Sequence, residues 1–184
     1  RRAGSPPRRR GRDQHRLHAA ITTHKAGTKQ SAVAYLYSDD QGQSWSKPQL
    51  IELASGQKIE SRQGNDIQLA AAGDDIVLVW QVTGEIPGMG PLFTVYSHDG
   101  GKSWQQGVNP TASEIDQSHA DLVADAQGRF HLVWLDDRDE NGYQGVRYAR
   151  TSDAGAHWEL TQTLDGSSCS CCWNRITVSP QGQI

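Results

Sequence analysis

One eight-residue segment, repeated three times, excludes most folds for this chain. Ser38-Asp39-Asp40-Gln41-Gly42-Gln43-Ser44-Trp45 returns as Ser97-His98-Asp99-Gly100-Gly101-Lys102-Ser103-Trp104. It returns again as Thr151-Ser152-Asp153-Ala154-Gly155-Ala156-His157-Trp158, which keeps the Asp, Gly and Trp. The copies start 59 and then 54 residues apart. A short apolar segment travels with each one: Arg16–Ile21, Ile76–Trp80 and Phe130–Trp134, each ending 17 residues before its octapeptide begins. Two features held in the same phase three times indicate one structural unit used repeatedly.

The rest of each unit is rich in β-forming residues. Ser31–Tyr37, Leu92–Tyr96 and Gly145–Ala149 follow the apolar segments, while Asp66–Ala70 and Ala120–Ala124 precede the second and third. Turn chemistry separates them at Gly73-Asp74-Asp75 and Asp125-Ala126-Gln127-Gly128. Ile176–Val178, followed by Ser179-Pro180-Gln181-Gly182, begins the pattern again. Nothing shows helical periodicity. The expectation is an all-β β-propeller whose blades are four-stranded antiparallel sheets, A to D. The chain would supply strands B–D of one blade, two whole blades and strand A of a fourth, about three blades of an expected six. The ends read as cuts in a longer chain.

The octapeptide joins strand C to strand D, so its chemistry is that of a tight turn. Asp40, Asp99 and Asp153 accept hydrogen bonds from the turn's own N–H groups. Gly42, Gly101 and Gly155 allow positive φ. Trp45, Trp104 and Trp158 are expected to pack beneath the turn. Ser38, Ser97 and Thr151 open the three copies. This S-x-D-x-G-x-[ST]-W pattern resembles the Asp box, or BNR repeat, of the sialidase (neuraminidase) superfamily, over roughly residues 15–184. The resemblance implies six blades, with the boxes on the face opposite the active site. The functional face would then be built from Thr22–Gln30, Gln81–Pro91, Leu135–Gln144, Gln105–Ser118 and Glu159–Trp173.

The family norm implies three Arg on a substrate carboxylate, an Asp as acid/base, and a Tyr nucleophile assisted by Glu. The first Arg belongs to an F/Y-R-I-P motif, and Trp173-Asn174-Arg175-Ile176-Thr177 is its nearest counterpart, with Thr in place of Pro. Asp136-Asp137-Arg138 fits a D-x-R pattern, but one blade early, and Asp139 is the nearest carboxylate beyond it. The catalytic candidates are therefore Arg175, Arg138, Asp137 and Asp139, and the ligand-binding ones are His119, Asp121 and Tyr143. Each has a plainer reading. Asp136–Glu140 reads as a solvated, self-paired loop, Arg175 as a partner of Asp121, and His119 as a buried, hydrogen-bonded residue. Tyr35, Tyr37, Tyr96 and Tyr148 lie on C strands, where packing is expected.

Charge and cysteines narrow the remaining classes. Residues 1–12 hold six Arg and no acid, so 1–14 reads as a basic disordered leader or linker, and 15–184 as the partial propeller. The remaining chain carries 12 basic and 21 acidic residues, which argues against a nucleic-acid partner. No apolar run reaches transmembrane length. Cys169, Cys171 and Cys172 cluster where one blade hands over to the next. The segment is similar to a C-x-C-C stretch in some exported bacterial sialidase-like proteins. A disulfide using Cys169 is favoured there over a metal site, and no cofactor is expected.

Three functions stand open from this reading. The first is a sialidase-like propeller recognising a glycan or glycoconjugate. The second is an exo-α-sialidase whose other catalytic residues lie outside these residues. The third is an exported propeller with a metal at the cysteines. Each implies a secreted, periplasmic or cell-surface location, and none implies an oligomeric state.

Overall fold

The computed structural model describes residues 16–54, 57–59, 67–84, 90–110, 117–137, 144–169 and 173–184. The basic leader, Arg138, Asp139, Tyr143, Cys171 and Cys172 lie outside them. Eleven strands are described: β1 (Leu17–His24), β2 (Ser31–Ser38), β3 (Gln49–Leu50), β4 (Gln68–Ala72), β5 (Asp75–Gln81), β6 (Leu92–Ser97), β7 (Gln105–Gln106), β8 (Gln117–Ala124), β9 (Phe130–Asp136), β10 (Gln144–Thr151) and β11 (Gln162–Ser168). They form three antiparallel sheets in the orders β1-β2-β3, β4-β5-β6-β7 and β8-β9-β10-β11. The all-β propeller is thus built as the repeat implies: one sheet of strands B–D, then two complete blades. Among the described residues the one helical element is a single 3-10 turn, Glu52–Ala54.

Strands B and C carry the core, and those of the middle sheet are covered on both faces by neighbouring blades. Ile76, Leu78 and Trp80 of β5 meet Val33 and Tyr35 of β2, while Val77 and Val79 meet Phe130, Leu132 and Trp134 of β9. Alternate residues of one strand therefore bury into two different interfaces. That explains why β5 is a continuous apolar run rather than an alternating one. The outer D strands, β3, β7 and most of β11, are exposed.

Ile176–Val178 joins no ladder among the described residues, and its Ile176 N–H donates to Asp121 Oδ2 of the preceding blade at 2.8 Å.

The three octapeptides fold alike. Asp99 Oδ1 accepts from the N–H groups of Lys102 and Ser103 at 3.0 and 2.9 Å, and Oδ2 accepts from Ser103 Oγ at 2.6 Å. Ser97 Oγ donates to Asp99 Oδ1 and accepts from Gly101 N–H. The same bonds join Ser38, Asp40, Gly42 and Ser44, and again Thr151, Asp153, Gly155 and His157. The tryptophans depart from the local role expected of them. Trp104 sets its ring edge against Tyr35 of the preceding blade, 5.1 Å between centroids, and Trp158 Nε1 donates to Val108 O of its own preceding blade. The second and third boxes thus serve as inter-blade contacts as well as turns.

The Ser103 hydroxyl and N–H, with the Ser97 hydroxyl and Lys102 N–H, outweigh burial and hold the Asp99 carboxyl at about 2. Asp99→Ala is expected to cost about 1–3 kcal/mol through lost turn hydrogen bonds. A carboxyl depressed in the folded state stabilises fully above its unfolded pKa, and that stability is lost as pH falls through the folded value. Urea unfolding of wild type and Asp99→Ala should therefore differ at neutral pH and converge between about pH 4 and pH 2. A constant gap down to pH 2 would show that the carboxylate's charge plays no part.

Candidate functional site

The boxes mark one end of the sheets: Gly100 N–H in the second box donates to Asp74 O in the β4–β5 turn of its own sheet. The opposite end of the third sheet is polar. Register places Gln117 beside Asp136, Asp136 beside Gly145, and Gln144 beside Ser168. Four strands thus bring amide, carboxylate and hydroxyl groups to one rim.

The centre of this rim is an ion pair. Arg147 Nε donates to Asp136 Oδ1 at 2.7 Å, Arg147 Nη1 to Thr163 Oγ1 at 2.6 Å, and Trp134 Nε1 to Asp136 Oδ2 at 3.0 Å. Both charged side chains are essentially inaccessible to solvent. This corrects the reading of Asp136 as part of a solvated loop. It continues the inward stripe of Phe130, Leu132 and Trp134, so β9 parity carries it into the interior. Gly145 makes room, since a Cβ there would lie 2.7 Å from Arg147 Cζ. Asp137 comes next and points the other way. It is partly exposed, yet its Oδ1 is screened from solvent and has no hydrogen-bond partner among the described residues.

Beside the pair, β8 is interrupted. The register slips between Ser118 and Asp121, and His119 adopts φ +51°, a conformation uncommon for a residue with a side chain. Bulges of this kind re-aim side chains. His119 is half-buried rather than buried, with Nδ1 2.9 Å from Ser118 Oγ. Beyond the bulge, Asp121 turns to the 173–178 segment. Asn174 Nδ2 donates to His119 O at 3.2 Å, and Arg175 Nη1 stands 3.6 Å from Asp121 Oδ1. The Arg175 side chain is 68% exposed, and its guanidinium lies 5.9 Å from the Trp173 ring centroid, within reach of a cation–π contact. The structure thus brings together His119, Asp121 and Arg175 at the end away from the boxes. Cys169 is exposed. Among the described residues no three His, Cys, Asp or Glu side chains converge to hold a metal.

Two polar clusters escaped sequence reasoning. Arg147 drew no notice because an Arg in a C strand reads as surface, although its offset from Asp136 matches adjacent strands. The second lies at the box end of the third sheet. Asp125 Oδ1 accepts from the N–H groups of Gln127 and Arg129, and Oδ2 from Arg129 Nε and His131 Nε2. Burial opposes ionisation there, but these bonds outweigh it and hold the carboxyl well below its usual range. A carboxylate only accepts, so His131 Nε2 carries a proton, and Nδ1 is left 2.8 Å from the Tyr148 hydroxyl. His18 and Tyr35 repeat that contact at 2.7 Å in the first sheet, and burial pushes the Tyr35 hydroxyl up to about 12. The available signal was the interval: each His precedes its Tyr by 17 residues, the same phase that links apolar segment to box.

Solved structures share this architecture. An α-L-arabinanase of Penicillium chrysogenum, complexed with arabinobiose, matches 91% of the chain and 46% of its own at 13% identity, with TM-score 0.52. The NanB sialidase of Streptococcus pneumoniae matches 74% at 17% identity and TM-score 0.46, and a Hadza microbial sialidase 75% at 20% and 0.49. The chain spans 19% of the NanB protein and 26% of the Hadza one. No curated protein matches. Among the described residues no helix is long and apolar enough to cross a membrane. The family model for the BNR repeat-like domain matches residues 8–177, and the chain belongs to that family.

Proposed function

We propose that the end of the propeller opposite the boxes recognises a glycan or glycoconjugate, with Arg175, Trp173, Asp121 and His119 on the contact surface. One observation carries this reading: an exposed guanidinium beside both a carboxylate and an exposed indole ring. An indole face packs against the apolar face of a sugar ring, and the Arg and Asp supply charge-assisted hydrogen bonds to hydroxyls or a carboxylate. The complexed arabinanase supports the sugar class through its fold alone.

Calorimetric titration with a panel of neutral and acidic oligosaccharides tests it. Arg175→Ala should weaken binding at least about tenfold, by loss of a charged contact. Arg150→Ala, which breaks an exposed pair with Glu159 at the box end, should leave binding unchanged. Equal loss in both variants, or in neither, would exclude this surface.

The exo-α-sialidase reading rests on Arg175 standing in the Trp173–Thr177 motif and carries a separate test. The 184-residue chain is expected to bind without releasing sialic acid from a fluorogenic substrate. Turnover that disappears with Arg175→Ala would promote the enzyme reading over the binding one.

A further inference from the structure

The bulge that carries His119 is held from outside its own sheet. Gln117 opens β8 and is fully buried. Its backbone N–H donates to Gly90 O at 2.9 Å, and its side-chain Oε1 accepts from Leu92 N–H at 2.7 Å. Gln81, the last residue of β5 and also buried, donates Nε2 to the same Gly90 O at 3.3 Å. The backbone closes tightly there, since a Cβ on Gly90 would collide with Val82 O. Two buried amides thus fasten the entry to β6 in the second sheet to the start of β8 in the third.

Packing alone does not ask for this arrangement. Leu135 holds in β9 the place that Gln81 holds in β5, so an apolar side chain fills that place in the next sheet. A buried amide costs free energy unless its polar atoms are bonded. Nor does the first strand of a blade need a bulge, because β4 pairs with β5 in even register from Gln68 to Ala72. In β8 the register slips directly after Gln117 and Ser118, and His119 takes φ +51°. On the far side of the slip, Asn174 Nδ2 donates to His119 O and Asp121 Oδ2 accepts from Ile176 N–H. A strained residue fixed from both sides is expected where the direction of a side chain matters more than stability.

We propose that Gln117 is a positioning residue of the ligand surface: it pins the start of β8 so that the bulge holds His119, under backbone strain, beside Asp121 and Arg175. The proposal rests on the glycan reading of this rim and names the device that shapes it. An imidazole set in place beforehand loses less freedom on binding than a mobile one.

Four variants of the 184-residue chain test it: Gln117→Met, His119→Gly, His119→Ala and Asp99→Ala. Methionine matches glutamine in length but lacks the amide oxygen that accepts from Leu92 N–H. In ligand-free NMR spectra, Gln117→Met should move the backbone shifts of His119 as well as those of Leu92. His119→Gly should unfold at a higher urea concentration than His119→Ala, because both lack the imidazole and glycine alone accepts a positive φ freely. In calorimetric titration with the panel of neutral and acidic oligosaccharides, Gln117→Met should bind about fivefold more weakly, the equivalent of one net hydrogen bond. Both His119 variants should weaken binding as well. Asp99→Ala, destabilised at the box end, should bind as the wild type does, which separates lost position from lost stability. His119 shifts unmoved by Gln117→Met, or equal urea midpoints for the two His119 variants, would overturn the strained clamp. Binding that survives Gln117→Met at full strength would overturn its part in recognition. A wild-type chain that binds nothing in the panel would instead overturn the glycan reading beneath the proposal.

Discussion

Arg147→Ala should destabilise the protein by about 3–5 kcal/mol, as expected when one member of a buried ion pair is removed. The arginine is 1% exposed and donates to Asp136 and Thr163, joining β9, β10 and β11. Alanine would take the Arg147 charge away from the fully buried Asp136 carboxylate, to which Trp134 Nε1 also donates. It would also leave a cavity beside Gly145. Chemical denaturation measures the loss, and a double-mutant cycle tells the mechanism. If the cost comes from a stranded charge, Arg147→Met with Asp136→Leu should recover much of it, because replacing both charges by apolar groups removes the desolvation penalty. If the double variant is as unstable as the sum of the singles, the pair is not acting as a unit and the account fails.

How much of this was legible in the sequence depends on which contacts are local. The boxes were, because Asp99 bonds to residues within four positions of itself and its chemistry is written in one octapeptide. The strands were, because β5 and β9 are apolar runs at fixed distances from those boxes. The destination of the tryptophans was not. Trp158 reaches Val108, fifty residues back, and no local pattern encodes which blade a ring will touch.

The rim was legible as chemistry but not as geometry. Arg175 and Asp121 could be named together because they occupy similar places in successive blades, and they stand 3.6 Å apart. Asp136 was placed in the wrong environment because five consecutive charged residues, Asp136–Glu140, read as one loop. The strand extends two residues beyond the Phe130–Trp134 segment, and its parity then decides which carboxylate is buried. The bulge at His119 left no mark in composition, since neither glycine nor asparagine stands there to advertise a positive φ.

Gly101→Ala is expected to be nearly as damaging as the loss of Arg147, and the chain contains its own control. Two costs arise at this position. The first is conformational: φ is +85°, where any side chain crowds the backbone. The second is steric, since the new Cβ would lie 2.3 Å from Tyr35 Cε1 and 2.6 Å from Cζ, which forces something to move. Tyr35 has little room to yield, with Trp104 against one side of its ring, His18 stacked nearby and its hydroxyl 2.7 Å from His18 Nδ1. Gly128, at φ +80°, pays the conformational cost alone, because nothing lies within 4 Å of its missing Cβ. Gly128→Ala should therefore cost about 1 kcal/mol, and Gly101→Ala about 3 kcal/mol or more, the difference being overpacking at a blade joint. Urea denaturation of the two variants side by side reads that difference directly. Combining Gly101→Ala with Tyr35→Ala should then cost clearly less than the two changes taken separately, since the clash vanishes with the ring. Equal losses for Gly101→Ala and Gly128→Ala would mean that the box glycine is needed only for its turn, and that the blades are not held together through it.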